Sequence, residues 1–219
     1  MISALVPAKA LDHAKGRLAE LLKEHERREL ALTMLEDVLR ALGSAPSIER
    51  VYVISPDQHI LHEAERLGAE AISQPPSVSG INEALKHGAR VVSLEAPSAL
   101  LVLLADVPAV SPDEIEAVLH ALPPEHGVVI CPAQTGGTSA LALRPPDAME
   151  FRFGPDSFAQ HEREASARGV PVNVFRAESL FHDIDEPADL RYLLAHATET
   201  ATHRLLLEMR ITERIGTGD

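Results

Sequence analysis

The stretch Leu100-Leu101-Val102-Leu103-Leu104-Ala105-Asp106-Val107-Pro108 decides the fold. Its first five residues are all apolar, which is typical of a parallel strand that is buried on both faces of a sheet. The stretch ends at a carboxylate, Asp106, where the chain would leave the sheet. Similar apolar runs alternate with helical segments along the chain, which predicts an α/β fold, a three-layer α/β/α sandwich with a mostly parallel sheet.

Apolar runs bounded by turn residues predict six further strands, at Ile2–Val6, Val51–Ser55, Ala69–Ser73, Val128–Cys131, Ser139–Leu143 and Val172–Phe175. Helical spacing and cap residues predict helices at Leu18–Leu42, Asp57–Leu67, Asn82–Leu94, from Ser111 onward, and at Ser157–Arg168, Glu186–His196 and Thr200–Ile215. No repeat or linker divides the chain, so residues 1–219 are expected to form one domain. Residues 198–219 would be a helical tail that either packs on a second subunit, as in a homodimer, or lies exposed to solvent.

Composition excludes several classes of protein. Hydrophobic residues make up 45% of the chain, which is typical of a globular protein and not of a disordered one. No window approaches the roughly 18 apolar residues of a membrane helix, and the N-terminus lacks the features of a secretion signal. A net charge of -13 argues against nucleic-acid binding, because phosphate backbones require clustered Lys and Arg. The single cysteine, Cys131, cannot form an intrachain disulfide, so a cytoplasmic location is expected.

A basic loop follows the first predicted strand. Lys9, Lys15 and Arg17 lie between Pro7 and Leu18, where the loop should pass over the carboxyl edge of the sheet. Their side chains suit phosphate oxygens, and the N-terminus of the following helix would add backbone donors. The alternative is a solvated basic loop. The loop matches neither the Walker motif nor the dinucleotide-binding fingerprint, because the glycines of both are absent.

Carboxylates follow two of the predicted strands. Asp106 ends the central strand, and Asp183 and Asp185 would project to the same side of an extended segment. Neighbouring carboxylates repel unless a cation lies between them, and Mg²⁺ takes hard oxygen ligands that it shares with substrate phosphates. The alternatives are that Asp106 and Asp185 each cap the helix that follows. Asp189, one turn into the second of these helices, is expected at the surface.

Three weaker motifs could contact a ligand. Gly136-Gly137 would let the backbone approach closely and Thr138 would add a hydroxyl, although a hairpin turn is the more common use. Gly154 and Ser157 precede a helix whose N-terminus could hold an anion, or Ser157 could cap that helix. Asn82 starts a helix, and its amide could instead meet a base or a ribose. Six histidines without a metal-binding spacing are expected at the surface: His25, His59, His62, His87, His120 and His126.

Together and in this order, these motifs resemble the guanylyltransferases that activate 2-phospho-L-lactate or phosphoenolpyruvate in coenzyme F-420 biosynthesis. The resemblance runs from Ile2 to about Leu194. The family has the fold of the nucleotide-diphospho-sugar transferases. The motifs that carry the resemblance are Val6-Pro7-Ala8-Lys9 with Ala14-Lys15-Gly16-Arg17-Leu18, Gly80-Ile81-Asn82-Glu83-Ala84-Leu85, Ala105-Asp106-Val107-Pro108, Gly136-Gly137-Thr138-Ser139-Ala140-Leu141, Arg152-Phe153-Gly154-Pro155 with Ser157-Phe158, and Asp183-Ile184-Asp185-Glu186-Pro187-Ala188-Asp189-Leu190.

The resemblance implies a guanylyltransferase that moves GMP from GTP to a small phosphorylated carboxylic acid and releases pyrophosphate. It implies catalytic roles for Lys15, Arg17 and Asp106, and a nucleotide site at Pro7, Lys9, Lys15, Arg17 and Asn82. It also implies an acceptor site at Thr138, Gly154 and Ser157, and Mg²⁺ ligands at Asp106, Asp183 and Asp185.

Two positions depart from the family pattern and leave the acceptor acid open. Ser139 stands where an asparagine is usual. Asp156 adds a carboxylate between Gly154 and Ser157, in the loop that the resemblance assigns to the acceptor. The choice lies among phosphoenolpyruvate, 2-phospho-L-lactate and 3-phosphoglycerate, and a composition that looks bacterial favours phosphoenolpyruvate. The alternatives are transfer to a molybdopterin or sugar phosphate, against which the glycine-free loop after Pro7 argues, and a non-catalytic nucleotide-binding domain.

Overall fold

A computed structural model describes residues 1–215 of the chain. Its sheet contains β1 (Ile2–Pro7), β2 (Arg50–Ser55), β3 (Glu70–Ser73), β4 (Ala99–Leu103), β5 (Gly127–Pro132), β6 (Thr138–Arg144) and β7 (Val172–Val174). The strand order is β3-β2-β1-β4-β6-β5-β7, and β6 runs antiparallel to both of its neighbours while the other pairs are parallel. The prediction of a mostly parallel sheet is therefore confirmed.

Helices connect most of these strands. They are α1 (Glu24–Ser44), α2 (Gln58–Arg66), α3 (Ile81–Val92), α4 (Pro112–His120), α5 (Ser157–Arg168), α6 (Glu178–Phe181), α7 (Pro187–His196), α8 (Ala201–Glu208) and α9 (Ile211–Arg214). The predicted helix from Leu18 begins later, because Glu26 Oε2 accepts the Lys23 backbone N–H at the start of α1. The predicted C-terminal helix divides into α8 and α9 at Arg210, whose φ is 53°. Residues 216–219 of the predicted tail lie outside the described part of the chain.

Alternating side chains of the central strands build a separate apolar core on each face of the sheet. On β1, Ala4 and Val6 join the core formed with α1, α2 and α4, whereas Leu5 joins the opposite core with α3 and α5. On β4, Leu101 and Leu103 face the first core, and their neighbours face the second. All five β4 residues are buried, as the opening apolar stretch predicts. The three-layer sandwich is thus confirmed.

The strand order fixes where a ligand can bind. The chain moves outward from β1 to β2 and β3, then returns to form β4 on the other side of β1. At such a reversal of the strand order, ligands bind in the crevice beyond the carboxyl ends of the two central strands. The loop that follows Pro7 and the segment that contains Asp106 both begin at this crevice.

The C-terminal helices pack on the same chain, so the prediction of a solvent-exposed helix was wrong for α8, and packing on a second subunit stays a prediction. Its residues Leu205 and Leu206 are buried with Leu30 and Met34 of α1 in a third apolar core. Asp37 of α1, 8% exposed, accepts hydrogen bonds at the start of α8 from the Ala201 and Thr202 backbone N–H groups and the Thr202 hydroxyl. Because the two backbone N–H donors are unpaired groups of a helix N-terminus, a carboxylate is the fitting partner.

None of the helices in residues 1–215 is long and apolar enough to cross a membrane.

We expect Asp37→Ala to lower the free energy of unfolding by about 2 kcal/mol, because it leaves the first N–H groups of α8 without their acceptor. Urea denaturation followed by circular dichroism would measure the change. Glu29→Ala, at an exposed position of the same helix, is the matched control and should change stability little. Equal stabilities of the two variants would show that Asp37 does not anchor the tail.

Candidate functional site

A cavity of about 770 Å³ lies beyond the carboxyl ends of β1 and β4. The basic loop after β1, the start of α3 and the segment after β4 enclose it. The predicted site residues on its wall are Pro7, Lys9, Lys15, Arg17, Asp106 and Asp185. The crevice predicted from the strand order is therefore present and polar on one side.

Lys15 of the basic loop contacts carboxylates from two other segments of the chain, the one after β4 and the one before α7. Its ammonium lies 2.9 Å from Asp185 Oδ1 and 3.4 Å from Asp106 Oδ2, and only 10% of its side chain is exposed. Burial lowers the pKa of Lys15, but the two carboxylates outweigh that effect and leave the pKa raised above its ordinary value. The residue adopts a left-handed backbone conformation with φ of 49°, which turns the chain at the start of the Gly16–Leu18 turn. Lys15 therefore stays charged while partly withdrawn from water.

The other two cations of the loop lie farther out. Lys9 is exposed on the cavity wall. Arg17 is also exposed, and its guanidinium lies 3.3 Å from Glu186 Oε1. An exposed ion pair of this kind contributes little to stability, so Arg17 can exchange its partner for a phosphate at low cost.

The three predicted metal ligands come together. Asp106, Asp183 and Asp185 each offer an oxygen, and these oxygens lie within 4.8 Å of one another. Asp106 Oδ1 and Asp183 Oδ1 are buried without a hydrogen-bond partner among residues 1–215. Burial first, and then the charge of Asp106, raises the pKa of Asp183 to about 6. Because buried carboxylate oxygens are costly without a partner, this cluster fits a hard divalent cation such as Mg²⁺.

Hydrogen bonds from backbone N–H groups hold the segment that contains Asp183 and Asp185, called here the second acidic segment. The Ile184 N–H donates to the Asp106 carbonyl at 2.9 Å, which joins the two acidic segments directly. Asp189 Oδ2 accepts the backbone N–H groups of Asp185 and Glu186 and so caps α7. The N-cap position considered for Asp185 belongs to Glu186, and Asp189 accepts its backbone N–H from inside the helix, which leaves the Asp185 carboxylate free to meet Lys15. The expectation that Asp189 lies at the surface was wrong, since it is 7% exposed.

The three predicted acceptor residues lie on two loops that touch. The Phe158 N–H donates to the Gly136 carbonyl, and the Ser157 N–H donates to the Gly154 carbonyl. A Cβ added at Gly137 would lie 3.8 Å from Ser157 Oγ, at ordinary van der Waals distance, so the two loops are close neighbours at this point. Thr138 starts β6, the antiparallel strand, and therefore lies at the same edge of the sheet as the end of β4. Thr138 therefore lies near the end of β4, although Thr138, Gly154 and Ser157 do not line the cavity itself.

Asn82 connects the helix beside the cavity to the acceptor loop. Its Nδ2 donates to the Phe153 carbonyl at 2.9 Å, and its Oδ1 accepts the Phe153 N–H at 2.8 Å. Both hydrogen bonds join Asn82 to Phe153, the residue before Gly154. They use the oxygen and one hydrogen of the Asn82 side-chain amide. The contact between Asn82 and a nucleotide stays a prediction, and the residue has a second role that the sequence did not indicate.

His161 is a buried residue of this region that sequence reasoning missed. It is 0% exposed, and its Nε2 accepts the Arg152 N–H at 3.0 Å. Nδ1 must therefore carry the proton, which it donates to Thr138 Oγ1 at 2.9 Å. Burial, and to a lesser extent Arg152, lowers the pKa of His161 to about 4. Helical spacing from Ser157 was the available signal, because residues four apart share one face of a helix.

The neutral His161 makes stability depend on pH. Its pKa is lowered in the folded protein, so its contribution is complete above the ordinary value of 6.5 and is lost as the pH falls towards 4. Between pH 7 and pH 5, we expect the wild-type chain to lose about 2 kcal/mol more unfolding free energy than His161→Gln. Urea denaturation at each pH measures this difference. The exposed control His126→Gln should follow the wild type, and a wild-type pH dependence in His161→Gln would contradict the assignment.

The fold is shared with solved nucleotidyltransferase structures. A crystal structure from Desulfovibrio desulfuricans G20, which carries the name nucleotide-diphospho-sugar transferase, superposes with a TM-score of 0.79 over 95% of each chain. The two sequences are 18% identical, so this likeness concerns the fold alone. The predicted fold type is confirmed.

Sequence comparisons identify the family. A phosphoenolpyruvate guanylyltransferase from Sphaerobacter thermophilus is 45% identical over 89% of this chain and 93% of its own. A 2-phospho-L-lactate guanylyltransferase from Methanothermobacter thermautotrophicus is 34% identical over 98% of this chain and 94% of its own. The model of the family described as guanylyl transferase CofC like matches residues 2–218. The chain therefore belongs to the CofC-like family of guanylyl transferases.

Proposed function

We propose that this guanylyltransferase transfers GMP from GTP to phosphoenolpyruvate, or to a closely related phosphorylated acid, in a Mg²⁺-dependent step of coenzyme F-420 biosynthesis. The observation that carries the proposal is the convergence of Lys15 with Asp106 and Asp185 at the crevice between β1 and β4. A cation and a carboxylate cluster at one sheet edge are what a metal-bound triphosphate requires. The 45% identity to a phosphoenolpyruvate guanylyltransferase supports that acid as the acceptor.

The reaction is an in-line displacement at the α-phosphorus of GTP. An oxygen of the acceptor's phosphate forms the new bond, and the bond from the α-phosphorus to the bridging oxygen breaks. Pyrophosphate leaves with the electron pair of that bond. The nucleophile is already anionic, so the reaction needs no protein general base, and catalysis consists of positioning and charge neutralisation.

The residues of the site divide this work. Asp106, Asp183 and Asp185 would hold Mg²⁺, which would neutralise charge on the reacting phosphates. Lys9, Lys15 and Arg17 would offset charge on the triphosphate and on the leaving pyrophosphate. Pro7 and Asn82 belong to the elements beside the nucleotide cavity, and Thr138, Gly154 and Ser157 would hold the acid. The mutual contact of the two acceptor loops supports this last assignment.

The direct test measures pyrophosphate release from GTP with each of the three acids in turn. We expect release with phosphoenolpyruvate and Mg²⁺, and none when the acid is left out or when the metal is removed with EDTA. Replacing GTP with CTP tests the base. The absence of release with every acid would reject the proposal and favour a non-catalytic nucleotide-binding domain. Release with a sugar phosphate in place of these acids would favour the sister activity.

Asp106→Asn should reduce kcat/KM by about 100-fold or more, because it removes a charged metal ligand while keeping the shape of the side chain. Steady-state pyrophosphate release measures the effect. Asp113→Asn provides the matched control, since Asp113 is exposed in the first turn of α4 and lies outside the site. Near-normal turnover of Asp106→Asn would remove Asp106 from the mechanism.

Asn82→Ala separates the two roles of Asn82. The paired hydrogen bonds with Phe153 favour a role in shaping the acceptor loop. We therefore expect the KM for the acid to rise by about 10-fold, as for the loss of two hydrogen bonds that each contribute modestly, while the KM for GTP changes less. The exposed neighbour Glu83 provides the control Glu83→Ala. A selective rise in the KM for GTP would instead assign the side chain to the nucleotide.

A further inference from the structure

Asp189 is a buried carboxylate that is satisfied by hydrogen bonds alone. Its Oδ1 accepts the Gln134 amide at 2.7 Å, and its Oδ2 accepts the backbone N–H groups of Asp185 and Glu186 at 2.9 and 2.7 Å. None of the ion pairs within residues 1–215 includes Asp189. Because an isolated buried carboxylate is costly, three donors on two oxygens indicate a position built for a carboxylate.

Gln134 forms hydrogen bonds with several residues between positions 181 and 189. Its backbone N–H donates to the Phe181 carbonyl at 2.8 Å, and its Oε1 accepts a hydrogen bond from His182 Nδ1 at 3.1 Å. Its Nε2 also lies 3.5 Å from the Asp183 carbonyl, in addition to the shorter bond with Asp189. One side chain therefore contacts the residue before Asp183, the backbone of Asp183 and the cap of the next helix.

These contacts hold the segment that contains Asp183 and Asp185, which repulsion between neighbouring carboxylates would otherwise push apart. Asp183 and Asp185 are separated by one residue and face Asp106, so without a cation their charges repel. Lys15 offsets part of this repulsion at Asp185 and Asp106, but its ammonium makes no ion pair with Asp183 within the described residues. The backbone on both sides of Ile184 must consequently be held by groups that are not ligands themselves.

We propose that Gln134 and Asp189 are positioning residues that fix Asp183 and Asp185 in the arrangement that binds the divalent cation. This role rests on the proposed metal site. Such outer partners keep the ligands in place before the metal arrives, and their loss typically lowers metal affinity by 10- to 100-fold. Gln134 also belongs to the turn that leads into Thr138, so the same side chain joins the metal segment to the acceptor loop.

The chemistry of the pair requires an amide opposite a carboxylate. Gln134 must donate to Asp189 and accept from His182 at the same time, which an amide does and a carboxylate does not. Gln134→Glu would put two carboxylates in contact, and Asp189→Asn would put two amide donors in contact. The double variant Gln134→Glu/Asp189→Asn reverses the pair. Its new amide at position 189 can donate to the new carboxylate at position 134, and the oxygen of that amide can still accept the backbone N–H groups.

Binding of Mn²⁺ to the full-length chain, followed by electron paramagnetic resonance without nucleotide, tests the proposal independently of turnover. We expect Gln134→Glu and Asp189→Asn each to weaken Mn²⁺ binding by about 10-fold or more, and the double variant to bind more tightly than either single one. Gln58→Glu and Asp113→Asn make the same chemical changes at exposed positions and should bind as the wild type does. Circular dichroism verifies that each variant is folded.

The outcomes are distinct. Folded single variants that bind Mn²⁺ within about twofold of the wild type, well short of the loss expected for an outer partner, would overturn the positioning role and leave the proposed function standing. A wild-type chain that does not bind Mn²⁺ would overturn the metal site and the positioning role together. If a single variant does not fold, Gln134→Ala provides the measurement, because it removes the same hydrogen bonds without adding a charge. Gln134→Ala with wild-type affinity would equally overturn the role.

Discussion

The contact of Lys15 with Asp106 and Asp185 is the interaction on which the site depends. It joins the loop after β1, the end of β4 and the segment before α7, which are far apart in sequence. The ammonium is mostly withdrawn from water, and two carboxylates compensate for the lost hydration. A partly buried contact of this kind gains little net stability but specifies one arrangement of the groups, which is what a phosphate- and metal-binding site requires.

The fold supplies this contact through its topology. The strand order reverses at β1 and β4, so the two segments that follow these strands open into one crevice. The antiparallel β6 then brings its first residue, Thr138, to the same edge. The bond from the Ile184 N–H to the Asp106 carbonyl attaches the last segment. The residues that we propose for the nucleotide, the metal and the acceptor therefore lie at one edge of the sheet, although no two of their motifs are neighbours in sequence.

The sequence was sufficient for the parts that follow from local rules. Apolar runs located all seven strands. The positions of Asp106, Asp183 and Asp185 indicated a metal site but also allowed two helix caps, and the resemblance to a known family supplied the full set of three ligands. The sequence was insufficient where a side chain has a distant partner. Asp189 resembles an ordinary residue of an exposed helix turn, yet Gln134 buries it, and no spacing reveals that pair. The tail likewise has an ordinary amphipathic pattern, which does not specify whether α1 of the same chain or another subunit covers it.

The central claim is that nucleophilic attack occurs at the α-phosphorus of GTP, with the triphosphate held at the crevice between β1 and β4. Labelled GTP tests it most directly, in single turnovers with phosphoenolpyruvate and Mg²⁺. We predict that a label on the α-phosphate enters the product of the acid, and that a label on the γ-phosphate leaves in pyrophosphate. Transfer of the γ-label to the acid, or its release as inorganic phosphate, would contradict the account.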